Sequence, residues 1–220
     1  MKLSDSLKKL TTRFAPGSQI RCNGLLGTYE DGLAWLSKQS GRAVSALTIL
    51  WLGNSMGNLT QEAAVSLLRN LSLVSMDVDL QFIIGADSCR DLEQIRRSYD
   101  PTTKLTQDFL LNGLKHANRV TGTRCFSEEN WECSGLYDRT EKAWKQHYVA
   151  KTDMILCLGS LSLHFSKGEH VLAIRSAKRR EDDMKEISKA AGLDMAMTWK
   201  SADNDYGAVL HLRSLLVFVH

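Results

Sequence analysis

Apolar positions along the chain change period several times, and the changes mark the elements. Leu3, Leu7, Leu10 and Phe14 recur at helical spacing, which predicts an amphipathic helix over 3–14 closed by Pro16-Gly17. Ile20-Arg21-Cys22 is a short strand candidate. Leu47 to Leu52, apolar except for Thr48, reads as a strand buried on both faces, as at the centre of a parallel sheet. Gly53 and Gly57 then punctuate a polar loop, and Asn58 is expected to cap a helix with Gln61 as its capping-box partner. That helix puts Ala63, Ala64, Leu67, Leu68 and Leu71 on one face. Residues 80–85 form a second buried strand, after which Asp87 or Ser88 is expected to cap a helix through Leu92, Ile95 and Tyr99. Strand and helix alternating in this way imply right-handed βαβ units and a parallel sheet, whose ligands bind at the strands' carboxyl ends.

After Asp100-Pro101 the rhythm changes. Leu105, Phe109, Leu110 and Leu114 define an amphipathic helix over 104–120. Strands are expected at 131–137, 143–149, 154–165 and 171–174, an interruption that reads as an insertion covering the site. Trp131, Tyr137, Trp144 and Tyr148 in it are candidates either for a pocket or for a core. A helix through Met184, Ile187 and Ala191 ends at Gly192, followed by a strand pair at 195–199 and 208–212. Residues 215–219 read as a last strand or a frayed tail. The expected organisation is a core unit over 1–100, an insertion over 101–178 and a return to the core over 179–220.

Composition adds mainly exclusions. A net charge of +3 with the signs mixed gives no nucleic-acid footprint, and Lys178-Arg179-Arg180 reads as the solvated start of a helix. Five cysteines without a C-x-x-C pair read as reduced cytoplasmic thiols, and the six histidines are too scattered for a metal site. No apolar run is long enough for a membrane helix.

Four separated stretches fall in the order of one family: Gly24-Leu25-Leu26-Gly27-Thr28-Tyr29-Glu30-Asp31-Gly32-Leu33-Ala34-Trp35-Leu36, Leu52-Gly53-Asn54-Ser55-Met56-Gly57-Asn58-Leu59, Arg97-Ser98-Tyr99-Asp100, and Ser176-Ala177-Lys178. On these the chain resembles the S-adenosylmethionine (SAM)-dependent amino-acid N-methyltransferases typified by the histidine methylase of ergothioneine synthesis. The wording of the first stretch is closer to the fungal branch that includes dimethylallyltryptophan N-methyltransferase. The resemblance implies an α/β fold with a Rossmann-like class I methyltransferase sheet, an α+β substrate-binding insertion, and SAM as cofactor. It places Gly27, Thr28 and Tyr29 against the adenine and Gly53 and Asn54 against the methionine part of SAM. It places Asn58 and Tyr99 on the main-chain end of an amino-acid substrate, with Ile174 and Ser176 facing its side chain. No catalytic acid or base is implied, because transfer to a neutral amine depends on positioning.

Two departures shape the expectation. Ile174 stands where the histidine enzyme has an acidic residue, so a hydrophobic or aromatic substrate such as a prenylated tryptophan is expected, in a pocket apolar on its far side. The family pattern also begins upstream of Met1, with a substrate-binding helical segment, a Gly-rich SAM loop and an acidic ribose ligand. A sheet lacking its first strands is therefore expected, its open edges completed by a full-length methyltransferase chain or the product left as a non-catalytic relic.

Overall fold

The computed structural model describes residues 3–15, 17–20, 22–38, 46–74, 79–124, 126–203 and 205–213. Helices α1 (Leu3–Thr11) and α2 (Tyr29–Ser37) precede strand β1 (Ala46–Trp51), a single 3-10 turn (Ser55–Asn58), α3 (Gln61–Val74) and β2 (Asp79–Asp87). Then come α4 (Leu92–Ser98), α5 (Lys104–Thr121), β3 (Trp131–Asp138), β4 (Ala143–Ala150), β5 (Met154–Leu158), β6 (Leu161–Phe165) and β7 (His170–Ala177). Helix α6 (Glu181–Ala191), β8 (Leu193–Lys200) and β9 (Tyr206–Arg213) complete the described elements.

The main sheet runs β1-β2-β9-β8. Strands β1 and β2 are parallel, whereas β9 lies antiparallel between β2 and β8. A reversed hairpin inserted beside a parallel pair is the Rossmann-like class I methyltransferase arrangement. Helices α3 and α6 cover one face through Ala64, Leu68, Met184 and Ile187, packed on Leu80, Phe82 and Ile84 of β2 and Val209 of β9. Alternation along β2 sends its even-numbered residues into that core, so the strand obeys period two although its sequence is almost continuously apolar.

Strand β1 departs from the expectation of burial on both faces. Its exposure alternates, Leu50 is 60 % exposed, and among the described residues no strand bonds its outer edge. Ile20 and Cys22 carry no strand, Arg21 lies outside the described residues, and α1 buries none of its residues. The caps shift too. Thr60, not Asn58, accepts the Ala63 amide at the start of α3, and Asp91, not Asp87 or Ser88, caps α4 by accepting from Glu93 and Gln94. The reason is geometric: the 3-10 turn lies between β1 and α3, and four residues separate β2 from α4, so each helix begins later than the loop motif suggests.

Residues 131–177 form two smaller sheets. β3-β4-β7 is antiparallel, and the run expected as one strand over 154–165 folds back at Gly159 into the β5–β6 hairpin. Trp131 belongs to a core with Leu114, Ala150 and Leu156, with Tyr148 packed against it; Trp144 is buried with Ile95 and Cys89, with Tyr137 alongside. Residues 215–219 and Cys125 lie outside the described residues.

Helix α2 owes its start to a full capping box. The Thr28 hydroxyl accepts from the Asp31 amide at 3.2 Å, and the Asp31 carboxylate accepts from the Thr28 amide at 2.8 Å. With no buried residue in α2 to compensate, Thr28→Ala is expected to destabilise the helix by about 1 kcal/mol. Faster amide exchange confined to 29–37, with protection of β2 unchanged, is the checking measurement.

Candidate functional site

At the carboxyl ends of β1 and β2 the chain turns sharply. Gly53 and Asn54 both have left-handed backbone, at φ 76° and 56°, which swings the chain from β1 into the 3-10 turn. Asn54 then ties three elements together. Its Oδ1 accepts the Asp87 amide at the end of β2 at 3.1 Å, and its Nδ2 donates to Ser176 Oγ on β7 at 3.4 Å. Tyr206 on β9 crosses over Gly85, and its hydroxyl accepts the Gly53 amide at 3.2 Å.

Ser176 sits in a cluster that sequence reading only partly assembled. Its Oγ lies 2.8 Å from the Tyr99 hydroxyl. Tyr99 stacks on Trp144 with ring centroids 6.0 Å apart, and its carbonyl accepts from Gln146 Nε2 at 2.8 Å. Register explains the grouping: Trp144 pairs with Ser176 and Gln146 with Ile174 across β4 and β7, so all four side chains lie on one sheet face. Gly135 leaves room for the Trp144 ring, since a Cβ there would come within 2.6 Å of it.

Lys178 and Arg179 depart from the solvated helix start expected of their basic run. They are 3 % and 5 % exposed, and only Arg180 faces water. Lys178 Nζ contacts the Asp87 carboxylate and lies 3.1 Å from the Tyr99 hydroxyl and 3.4 Å from Ser176 Oγ. Burial opposes the ammonium, but hydrogen bonds to Asp87 and Tyr99 outweigh it and hold Lys178 above the ordinary lysine range. Arg179 donates to the Leu59 carbonyl at 2.7 Å, and burial, then Arg175 nearby, pulls it down to about 10. Arg175 also bonds the Gly57 and Leu59 carbonyls. Two arginines therefore clamp the 3-10 turn against β7.

A carboxylate, Asp87, thus projects beside Tyr99 and Ser176, where an apolar far side was expected. Its partner Lys178 neutralises it, so the surroundings are polar without net charge. Ile174, half-buried, lies two residues before Ser176 on the same sheet face. Asn58 sits exposed at the end of the 3-10 turn.

Thr28 and Tyr29 border a separate hollow of about 310 Å³ together with Trp51, Leu50, Leu36 and Leu71. Tyr29 meets Trp51 edge to face at 5.6 Å. The hollow straddles the outer edge of β1, because Ile49 and Trp51 point to one face of the strand and Leu50 to the other. The Thr28 hydroxyl is engaged in its capping box, and Gly27 packs on the Asp31 side chain. A wider hollow of about 770 Å³ lies along α5 at Leu105 and Phe109, and no member of the Ser176 cluster borders it.

The structure thus joins Asn54 to Ser176 directly and, through Ser176, to Tyr99, with Ile174 on the Ser176 sheet face, and places Tyr29 against the Trp51 that leads into the Gly53 turn. Sequence reading missed Asp87, Lys178 and Tyr206 as members of the site. Asp87 had a usable signal in its position at a parallel strand's carboxyl end, and Lys178 had one in the Ser176-Ala177-Lys178 stretch; Tyr206 had none, since its role depends on β9 crossing to that end. Among the described residues no group of His, Cys, Asp or Glu gathers to hold a metal ion, and no helix is long and apolar enough to cross a membrane.

A family model described as histidine-specific methyltransferase, SAM-dependent, matches residues 1–213. The N-methyltransferase imqF of Aspergillus flavus is 37% identical over 93% of this chain and 56% of its own length. The N-methyltransferase fsqC of Aspergillus fumigatus is 35% identical over 99% of this chain and 57% of its own. Ergothioneine biosynthesis protein 1 of Neurospora crassa is 29% identical over 97% of this chain and 24% of its own. The chain spans about half the length of the first two relatives.

Proposed function

Because the chain belongs to the histidine-specific, SAM-dependent methyltransferase family, we propose that it serves SAM-dependent N-methylation of an amino acid or amino-acid-derived amine. The observation that carries this reading is Asn54, whose side chain joins the turn after β1 to Tyr99 through Ser176. SAM would supply an electrophilic methyl group, and everything else falls to positioning. Gly27, Thr28, Tyr29, Gly53 and Asn54 would hold it. The hollow at Tyr29 and Trp51 fits one planar ring, being almost wholly apolar and at the lower end of ligand-site volumes. Asn58, Tyr99, Ile174 and Ser176 would hold the substrate. Ile174, on the same sheet face as Ser176, supports a hydrophobic or aromatic side chain over a charged imidazole, in keeping with secondary metabolism in fungi.

A second reading is supported by β1. The outer edge of that strand is unbonded among the described residues, and the apolar hollow wraps around it, an arrangement that also fits a strand donated by a full-length methyltransferase chain. Equilibrium dialysis of the purified chain with labelled SAM separates the two. Saturable binding, displaced by S-adenosylhomocysteine and weakened on the order of tenfold by Tyr29→Ala, is the expected result. Absence of binding that returns on mixing with a full-length relative would favour the pairing reading instead.

A further inference from the structure

The buried ammonium of Lys178 offers its N–H groups to three acceptors: the Asp87 carboxylate, the Tyr99 hydroxyl and the Ser176 hydroxyl. An ammonium donates and never accepts. Asn54 is oriented by the Asp87 amide, which occupies its Oδ1, so its NH₂ group faces Ser176. Ser176 Oγ therefore meets two pure donors, one for each lone pair. The 2.8 Å contact between Ser176 and Tyr99 must then carry the proton of Ser176 itself, donated to Tyr99. The Tyr99 oxygen now accepts from both Lys178 and Ser176. Its own proton has no acceptor among the described residues, and the side chain is half-buried, within reach of a ligand.

We propose that Lys178 is a positioning residue of this site: it sets the directions of the Ser176 and Tyr99 protons, so that Tyr99 presents its O–H outward to a carboxylate or carbonyl oxygen of the substrate. Asp87 balances the ammonium, so the cluster offers a directed donor and not a net cation. Selection then works by hydrogen-bond geometry: an amine bearing an acceptor oxygen beside it is held, and the same amine without one is held less tightly. The identity of the substrate as an amine rests on the methyltransferase reading, whereas the proton directions hold in the ligand-free protein.

Two readouts test this on the full chain. The first is ligand-free: the infrared C–O stretch of Tyr99, isolated with ring-¹³C tyrosine as wild type minus Tyr99→Phe, reports whether that oxygen donates, accepts or does both. The second is calorimetric binding of L-tryptophan against tryptamine, the same amine without a carboxylate, in the presence of S-adenosylhomocysteine. Lys178→Met is combined with Asp87→Asn so that no unpaired carboxylate is left buried. Asn54→Gly is the milder second variant, since it keeps the left-handed backbone and removes one donor from Ser176.

Wild type is expected to favour L-tryptophan on the order of tenfold, the ratio one hydrogen bond to a charged group supplies. Both variants are expected to shift the Tyr99 stretch and bring that ratio near one, through loss of the L-tryptophan advantage. A folded variant with the stretch unmoved, or with the preference intact, overturns the proposal. If the stretch shifts while wild type binds neither probe, the proton directions stand and the methyltransferase reading is what fails.

Discussion

Lowering the pH from 7 to 4 is expected to remove about 3 kcal/mol of stability through one residue, His211. It is fully buried on β9, beside Phe82 in the main core, and among the described residues Ser188 of α6 is its hydrogen-bond partner, at 2.6 Å from Nδ1. The Ser188 hydroxyl donates to the Met184 carbonyl, so it must accept from His211, which fixes the proton on Nδ1 and leaves Nε2 buried without a partner among the described residues. A second proton would have to enter an apolar core at Nε2. Desolvation therefore depresses the ring from 6.5 to about 4. Above pH 6.5 the ring is neutral folded or unfolded and contributes no pH dependence. As pH falls below 6.5 the unfolded chain takes up a proton that the native state refuses, so stability declines and levels off below about 4. His147, depressed by burial and then by His170, adds a smaller slope of the same sign. Urea midpoints measured from pH 7 to 5 should fall for wild type and stay nearly flat for His211→Leu. Equal slopes for the two proteins would refute this account.

Gly57→Ala is expected to cost about 3 kcal/mol, the upper end for one inserted methyl group, and to dismantle the site in the same stroke. Gly57 is buried in the 3-10 turn, and an added Cβ would lie 3.0 Å from the Ala177 carbonyl and 2.8 Å from Asn54 Nδ2. The carbonyl belongs to β7, which is held in register by β4, so it cannot move aside. Asn54 would have to yield, and with it the bonds to Asp87 and Ser176. Urea unfolding at pH 7 together with SAM dialysis checks both halves. Gly32→Ala is the control: a Cβ there meets nothing within 4 Å on a helix, and neutral to slightly higher stability is expected. Wild-type SAM binding by Gly57→Ala would show that the turn has slack that its contacts do not suggest.

Periodicity located β1, α3, β2, α5, α6 and the closing hairpin to within a few residues, because spacing of apolar side chains is a local property. It failed on the environment of β1. An almost unbroken apolar run reads the same in a central strand as in an edge strand beside an apolar hollow, and only the count of bonded neighbours separates them. The run Lys178-Arg179-Arg180 failed in the opposite direction. Charge predicts exposure on average, but Asp87 and the Tyr99 hydroxyl, dozens of residues away, satisfy Lys178 inside, and the Leu59 carbonyl takes one Arg179 bond.

By itself the sequence determined the alternation of strand and helix, the family, and Asn54, Tyr99 and Ile174 among the residues that gather around Ser176, since motif order and hydrophobic spacing are written along the chain. Tertiary structure alone decided that Asn54 bridges two sheets, that Lys178 is internal, and that the Tyr99 proton points outward. Those are consequences of β7 running its Ser176–Lys178 end past the end of β2. Which acceptor meets which donor there depends on distances that residue order does not encode.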